Sequence, residues 1–222
     1  MLRHHCPDWR VEILDAPILH MGWRTLESEI RRRAPAVVAL GEEAVSCAES
    51  LRLARLARAV GARVIAGGCF FGHVAPQVLR TGMVDIVAHG EGEQTVVELA
   101  NALREGTSAA LAQVAGISFL SGNAPLGVPA SAGPFSHTTQ TPNRLQPELH
   151  TSDGEVIRTR PRPLLQHLDD LPLPAWDLLP MHRYGAESRN HPALGAIELG
   201  RGCLDGCDFC VLWRQIGKFV GD

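Results

Sequence analysis

Three cysteines near the end of the chain have the types and the spacing of a metal-binding loop. Cys203, Cys207 and Cys210 form a CxxxCxxC pattern, and Phe209 directly precedes the last of them. Thiolates are soft ligands that hold iron–sulfur clusters or zinc. Three protein ligands would leave one iron of a four-iron cluster open to an external molecule. The pattern therefore favours a catalytic cluster over an electron store.

A closed zinc site is the alternative for the same cysteines. A histidine such as His182 or His191 would complete a Cys3His shell, which is common in structural zinc sites. Zinc ribbons and knuckles, however, typically use paired CxxC hooks, which this spacing lacks. The sequence therefore favours an iron–sulfur cluster over zinc or unligated thiols.

Short β-branched runs alternate with helical patterns from residue 10 to about residue 120. This alternation is typical of βαβ units and predicts an α/β, Rossmann-like (flavodoxin-like) doubly wound parallel sheet. Predicted strands are residues 11–14, 36–40, 63–66, 84–88 and 114–120. Capping boxes are predicted at 46–49 and 95–98, and Gly61 and Gly106 are predicted left-handed helix ends.

Two glycine-rich loops follow the third and fourth predicted strands, at residues 66–73 and 89–95. Parallel sheets bind ligands at the carboxyl ends of their strands. Glycine lets a bulky ligand approach the backbone, and amides at a helix start favour anionic groups. Tight turns alone explain such glycines about as often, so these loops become informative only together with the cysteines.

The cysteine loop follows an apolar run at 196–199 and resembles the cluster loop of radical S-adenosylmethionine enzymes. The resemblance implies that Cys203, Cys207 and Cys210 bind a 4Fe-4S cluster. It also implies that S-adenosylmethionine chelates the fourth iron and that Phe209 lies near the adenine.

Upstream stretches resemble the cobalamin-binding domain that precedes the barrel in one large branch of these enzymes. They are residues 11–16, 63–68, 85–93 and 171–180. The resemblance implies that the corrin or its nucleotide tail lies near Gly67, Gly68, Gly90, Glu91, Gly92 and Glu93. No D-x-H-x-x-G sequence supplies an axial histidine, and His73 and His89 are more simply capping or core residues.

Against this family, the chain is expected to be truncated at both ends, without the first strand of the sheet and without most of the barrel. We predict a cobalamin-binding-like α/β domain over 1–120, a Pro/Gly-rich linker and collar over 121–193, and the first barrel strand with the cluster loop over 194–222. Residues 123–146 are expected to be irregular, whereas 154–159 are expected to pair with 116–119.

Composition and charge indicate which partners and which compartment to expect for the protein. The 222 residues carry a net charge of −3, which gives no support to a nucleic-acid surface, and no apolar run approaches the ~20 residues that cross a bilayer. The other cysteines, Cys6, Cys47 and Cys69, are scattered, so reduced thiols in the cytoplasm are expected.

The predicted function is that of a radical enzyme, or a fragment of one, that binds an iron–sulfur cluster and S-adenosylmethionine and depends on cobalamin. Methyl transfer to an unactivated carbon of a small molecule or peptide is the leading activity, and a radical cyclisation or rearrangement is the next. An electron donor such as flavodoxin or ferredoxin is implied. The 222 residues alone are not expected to be catalytically competent.

Two alternatives to this function remain. One is a noncatalytic corrinoid-binding or partner-binding module with a remnant cluster loop, and the other is a zinc-dependent interaction domain.

Overall fold

The computed structural model describes residues 1–41, 44–122, 154–185, 195–205, 207–210 and 220–221. The chain forms two compact units, of which one is Ile30–Arg162 and the other combines Met1–Glu29 with Pro163–Asp222. The domain boundaries at residues 120 and 193 stay a prediction. The segment 123–146, predicted to be irregular, lies outside the described residues.

A five-stranded sheet forms the centre of the unit Ile30–Arg162, with its strands in chain order. The strands are β1 Val37–Gly41, β2 Arg63–Gly67, β3 Ile86–Ala88, β4 Ile117–Leu120 and β5 Val156–Arg158. The pairs β1–β2 and β2–β3 are parallel, whereas β3–β4 and β4–β5 are antiparallel. The prediction of a Rossmann-like α/β fold is confirmed, with parallel pairing over the first three strands only. The predicted pairing of 154–159 with 116–119 is also confirmed.

Seven α-helices lie among the described residues. They are α1 Leu2–His5, α2 Trp23–Arg33, α3 Cys47–Ala59, α4 Cys69–His73, α5 Ala75–Arg80, α6 Glu93–Glu105 and α7 Ser108–Gln113. Short 3-10 helices lie at Ala44–Ser46, Leu168–Asp170, Trp176–Leu178 and Met181–Arg183. A second, two-stranded antiparallel sheet pairs β6 Gly200–Arg201 with β7 Val220–Gly221. Across the described residues, every helix is too short or too polar to cross a membrane.

The central strands β2, β3 and β4 are largely buried on both faces, as expected for strands that have helices on both sides. Alternate residues of β2, Val64 and Ala66, pack in an apolar cluster with Ala54 of α3 and Leu79 of α5. Ile65 lies between them in sequence, faces the other side of the sheet and is also buried. This cluster fixes the sheet against α3, α4 and α5.

One predicted strand is absent, because residues 11–14 lie outside helices and strands. In the range 194–222, β6 begins at Gly200, just after the apolar run at 196–199. A β-prone run becomes a strand only when a neighbouring strand satisfies its backbone groups. Among the described strands none pairs with 11–14, so its apolar pattern alone does not produce a strand.

The helix ends test the capping predictions. Ser46 is the N-cap of α3, but its side chain makes no capping hydrogen bond. The prediction at 95–98 is wrong, because α6 begins at Glu93 after the N-cap Gly92 and Thr95 lies inside the helix. The left-handed ends at Gly61 and Gly106 are confirmed, with φ of 81° and 71°.

Candidate functional site

The two glycine loops lie at the carboxyl edge of the parallel strands. β2 ends at Gly67 and β3 ends at Ala88, and the two strands are paired through Ala66 and Val87. Gly68 and Gly90 therefore leave the sheet at the same edge, where α/β sheets bind ligands. The structure thus brings the predicted cofactor loops to one edge of the sheet, and which residues bind a cofactor stays a prediction.

Two of these glycines have backbone conformations that other residues rarely adopt. Gly68 has φ 112° and Gly90 has φ 67°, and both are exposed. A Cβ atom added at Gly90 or at Gly92 would meet no heavy atom within 4 Å. The backbone there faces open space, and this open edge fits the approach of a large planar ligand such as a corrin.

The loop between β3 and α6 is held by contacts around the first turn of α6. The hydroxyl of Thr95 donates to the backbone carbonyl of Glu91 at 3.1 Å. Glu93 is the first residue of the helix and is half-buried. These contacts fix the direction in which Gly90 to Glu93 leave the sheet.

Arg162 is the residue in this region that sequence reasoning missed. Its guanidinium donates to Thr95 Oγ1 at 2.8 Å, to Gln94 Oε1 at 3.0 Å and to the carbonyl of Ala115 at 3.3 Å, and it also binds the carboxylate of Glu98. Its side chain is only 9% exposed. Since these partners lie 47 to 68 residues away in the chain, no short-range pattern marks Arg162.

His89 directly follows β3, and its imidazole points to the neighbouring strand. Its Nε2 lies 2.8 Å from Ser118 Oγ, and its backbone N–H donates to the carbonyl of Gly116 at 2.8 Å. Burial, reinforced by the nearby charges of Arg158 and His73, lowers the pKa of His89 to about 4. The ring is therefore neutral at pH 7 and bonded to Ser118, as expected for a core histidine.

The cysteine loop follows β6. Cys203 and Cys210 are half-buried and Cys207 is exposed, and the backbone N–H of Cys210 donates to the carbonyl of Cys207 at 3.1 Å. Phe209 is 92% exposed. Within the described part of the chain, no three Cys, His, Asp or Glu side chains are gathered as a metal site. The donor types fit an iron–sulfur cluster, but the loop does not present them at one point.

Of the two histidines of the zinc alternative, the structure describes only His182, and it forms no metal site with described cysteines. His182 is exposed in the 3-10 helix Met181–Arg183, and His191 lies outside the described residues. Trp176, which lies in the predicted linker and collar, is half-buried, and its ring would lie 3.3 Å from a Cβ atom added at Gly195. The assignment of cysteines, Phe209 and glycines to cofactors stays a prediction.

Sequence comparison finds relatives along most of the chain, although no family model matches it. It is 26% identical over 211 residues to an uncharacterized methyltransferase of Pyrococcus horikoshii, which covers 94% of this chain and 38% of that protein. It is also 26% identical over 171 residues to a UPF0313 protein of Geobacter sulfurreducens, covering 66% of this chain and 28% of that one. The chain therefore spans well under half the length of these relatives.

Structural comparison extends the similarity to a solved protein. The match is the radical S-adenosylmethionine methyltransferase TsrM of Kitasatospora setae, in a structure with cobalamin and a 4Fe-4S cluster bound. The TM-score is 0.58 at 20% identity, over 98% of this chain and 39% of TsrM. The resemblance to a cobalamin-binding radical S-adenosylmethionine protein is therefore confirmed at the level of the fold.

Proposed function

We propose that this chain is the cofactor-binding part of a cobalamin-dependent radical S-adenosylmethionine methyltransferase. The observation that carries the proposal is the order of two features on one fold: glycine loops at the carboxyl edge of β2 and β3, then the CxxxCxxC loop after β6. The similarity to a methyltransferase sequence and to the fold of TsrM supports this assignment.

In this proposal Cys203, Cys207 and Cys210 would hold three irons of a 4Fe-4S cluster, and Phe209 would lie near the adenine of S-adenosylmethionine. When bound, the cluster supplies an electron to S-adenosylmethionine and cobalamin carries the methyl group, with the chemistry belonging to the cofactors. The chain orients them. We expect cluster binding to draw the three thiols together and to reduce the exposure of Phe209.

Anaerobic reconstitution with iron and sulfide tests the cluster. We expect the reduced sample to show the electron paramagnetic resonance signal of a 4Fe-4S cluster, and Cys203→Ala, Cys207→Ala and Cys210→Ala each to lose it. Cys69→Ala is the matched control, because Cys69 is exposed and lies outside the triplet. Zinc bound in place of iron, or an unchanged signal in the triplet variants, would contradict the cluster.

Corrinoid binding rests on the open edge around Gly90 and Gly92. A Cβ atom added at position 92 meets no heavy atom within 4 Å, and Gly92 has an ordinary φ of −92°. Gly92→Leu should therefore leave the fold intact and place its side chain where the ligand would lie.

The measurement is corrin absorbance retained after mixing with cobalamin and desalting. The native chain should retain corrin and Gly92→Leu should retain much less. Gly22→Leu is the control, because a Cβ at Gly22 also meets nothing within 4 Å and Gly22 belongs to the other unit. Equal retention by the two variants would place the corrin elsewhere.

For the complete enzyme we propose methyl transfer to an unactivated carbon of a small molecule or peptide, with a reduced flavodoxin or ferredoxin as electron donor. The similarity to a methyltransferase of Pyrococcus horikoshii favours this reaction over a radical cyclisation or rearrangement. Transfer of a labelled methyl group from S-adenosylmethionine by the full-length protein is the deciding assay. Deoxyadenosine formed from S-adenosylmethionine without transfer of label would favour rearrangement.

A second candidate is a noncatalytic corrinoid-binding module. The observation that favours it is that the described cysteines are not gathered into a metal site. It predicts corrin retention that depends on Gly92, together with failure to assemble a cluster. The two assays above therefore separate the candidates.

A further inference from the structure

A cavity of about 440 Å³ lies within the unit Ile30–Arg162, between α4–α5 and the strands β4 and β5. We call it the α4–α5 cavity. Its polar lining residues are His73, Arg80, His89, Ser118, Glu155 and Arg158. None of the glycines or glutamates predicted to contact cobalamin lines it. His73 and His89 belong to the two glycine loops, but the cavity is lined by other residues than those predicted to contact cobalamin.

The polar side chains reach the cavity because they share one face of the sheet. Val87 and Leu120 lie in the apolar cluster under α3, α4 and α5. Side chains alternate along a strand, so His89 and Ser118, each two residues from these, lie on the same face. Arg158 is the register partner of Ser118. The face thus changes from apolar to polar at the cavity.

The charges on the lining are unbalanced. Arg80 from α5 and Arg158 from β5 carry permanent positive charges, whereas Glu155 is the one acidic residue among the described residues of the lining. A cavity lined in this way attracts an anionic group.

The lowered pKa of His89 is consistent with an excess of positive charge in the lining. The positive charges of Arg158 and His73 add to burial in disfavouring the imidazolium form. The bond between His89 Nε2 and Ser118 Oγ fixes the ring at the cavity wall. The cavity therefore offers a hydroxyl and an oriented imidazole beside two guanidinium groups.

We propose that the α4–α5 cavity binds the phosphate group of a small phosphate ester, with Arg80 and Arg158 as charge partners. Donors on two different elements suit a tetrahedral group with several oxygens, and guanidinium groups bind phosphate with charge-assisted hydrogen bonds. The volume lies in the range of small-molecule sites, which leaves room for an organic substituent on the phosphate.

Isothermal titration calorimetry of the full chain, without iron or cobalamin, tests this proposal with adenosine 5′-monophosphate and with inorganic phosphate. We expect the ester to bind, and to bind more tightly than inorganic phosphate because it also fills the cavity. Arg158→Gln should weaken binding of the ester about tenfold through loss of a charge-assisted hydrogen bond. Arg55→Gln is the matched control, since Arg55 is exposed on α3 and does not line the cavity.

Nuclear magnetic resonance of the His89 ring gives a second readout. A bound anion offsets the positive charges around the ring, so phosphate should raise the pKa of His89 above its value of about 4. In chloride at matched ionic strength the pKa of His89 should stay lower than in phosphate, which distinguishes binding of the anion from screening by salt. The same titration is repeated on Ser118→Ala, which removes the hydrogen-bond partner of His89. A change in the titrating resonance shows that it belongs to the His89 ring.

The outcomes are separable. Absence of binding by either probe, or equal weakening by Arg158→Gln and Arg55→Gln, would overturn the proposal. Equal affinity for inorganic phosphate and for the ester would overturn the assignment of an ester. Since neither measurement uses the cluster or cobalamin, failure here leaves the proposed enzyme function unaffected.

Discussion

One guanidinium nitrogen of Arg58 donates to both carboxylate oxygens of Asp85, at 2.8 and 2.9 Å. The carboxylate also accepts from Arg63 at 3.2 Å and from the backbone N–H of Val64 at 2.8 Å. Asp85 is 3% exposed, so this is a buried charge whose partners come from α3 and β2. The arrangement fixes the residue before β3 against the neighbouring strand.

Replacing Asp85 should therefore destabilise the fold. Asp85→Ala removes the charged acceptor and leaves the buried N–H of Val64 without its partner, which should lower the free energy of unfolding by about 2–4 kcal/mol. Urea unfolding followed by circular dichroism measures this. Asp177→Ala, at an exposed carboxylate paired with Arg3, should have a much smaller effect. Similar losses in both variants would show that burial of Asp85 is not the cause.

Arg162 should act through the geometry of its guanidinium rather than through charge alone. Arg162→Lys keeps the charge but cannot reach Thr95, Gln94 and the carbonyl of Ala115 together, and we expect a loss of about 1–3 kcal/mol in unfolding free energy. Arg160→Lys is the control because Arg160 is exposed. Equal stability of the two variants in urea unfolding would contradict this role.

His89 should make stability depend on pH. Its folded pKa of about 4 lies below the ordinary value of 6.5, so the unfolded chain binds this proton more readily. The contribution is present above pH 6.5 and is lost as the pH falls towards 4, by up to ~2 kcal/mol for a half-buried ring.

The measurement is the unfolding free energy of the native chain minus that of His89→Gln across this pH range. The difference should fall as the pH falls. His167→Gln, at an exposed histidine, should leave the slope of the native chain unchanged. A flat difference for His89→Gln would show that the imidazole has an ordinary pKa.

Tyr184, the one tyrosine of the chain, donates its hydroxyl to Asp15. This hydrogen bond, together with burial and the negative charge of Asp15, raises the pKa of Tyr184 above its ordinary value of 10.0. An ultraviolet titration of the phenolate should show this, and Asp15→Asn should lower the midpoint. Asp177→Asn provides the control within the same unit. Identical midpoints in the native chain and Asp15→Asn would disprove the bond.

Comparison of sequence and structure shows which features depend on local pattern. The strands β1 and β2 were predicted within one residue of their observed bounds because each is a short apolar run between helical patterns. Glycine predicted the helix ends at Gly61 and Gly106, since left-handed conformations strongly favour it. The pairing of β4 with β5 was also predicted from two β-prone runs.

Features that depend on partners were not predictable in the same way. The run at 11–14 has the composition of a strand, but no described strand pairs with it. The box at 95–98 matches a capping pattern, yet Thr95 and Glu98 bind Arg162 instead. In both cases a contact, or the lack of one, between distant residues overrides a local preference.

The sequence by itself determined the α/β class, the loops at the carboxyl edge of β2 and β3, and the spacing of Cys203, Cys207 and Cys210. It could do so because periodicity, turn residues and spacing are local properties of the chain. Only the tertiary structure decided the antiparallel direction of β4, the burial of Asp85, the contacts of Arg162 and the polar lining of the α4–α5 cavity. Each of these depends on residues brought together from separate parts of the chain, where packing and charge pairing select one arrangement among many that the local sequence permits.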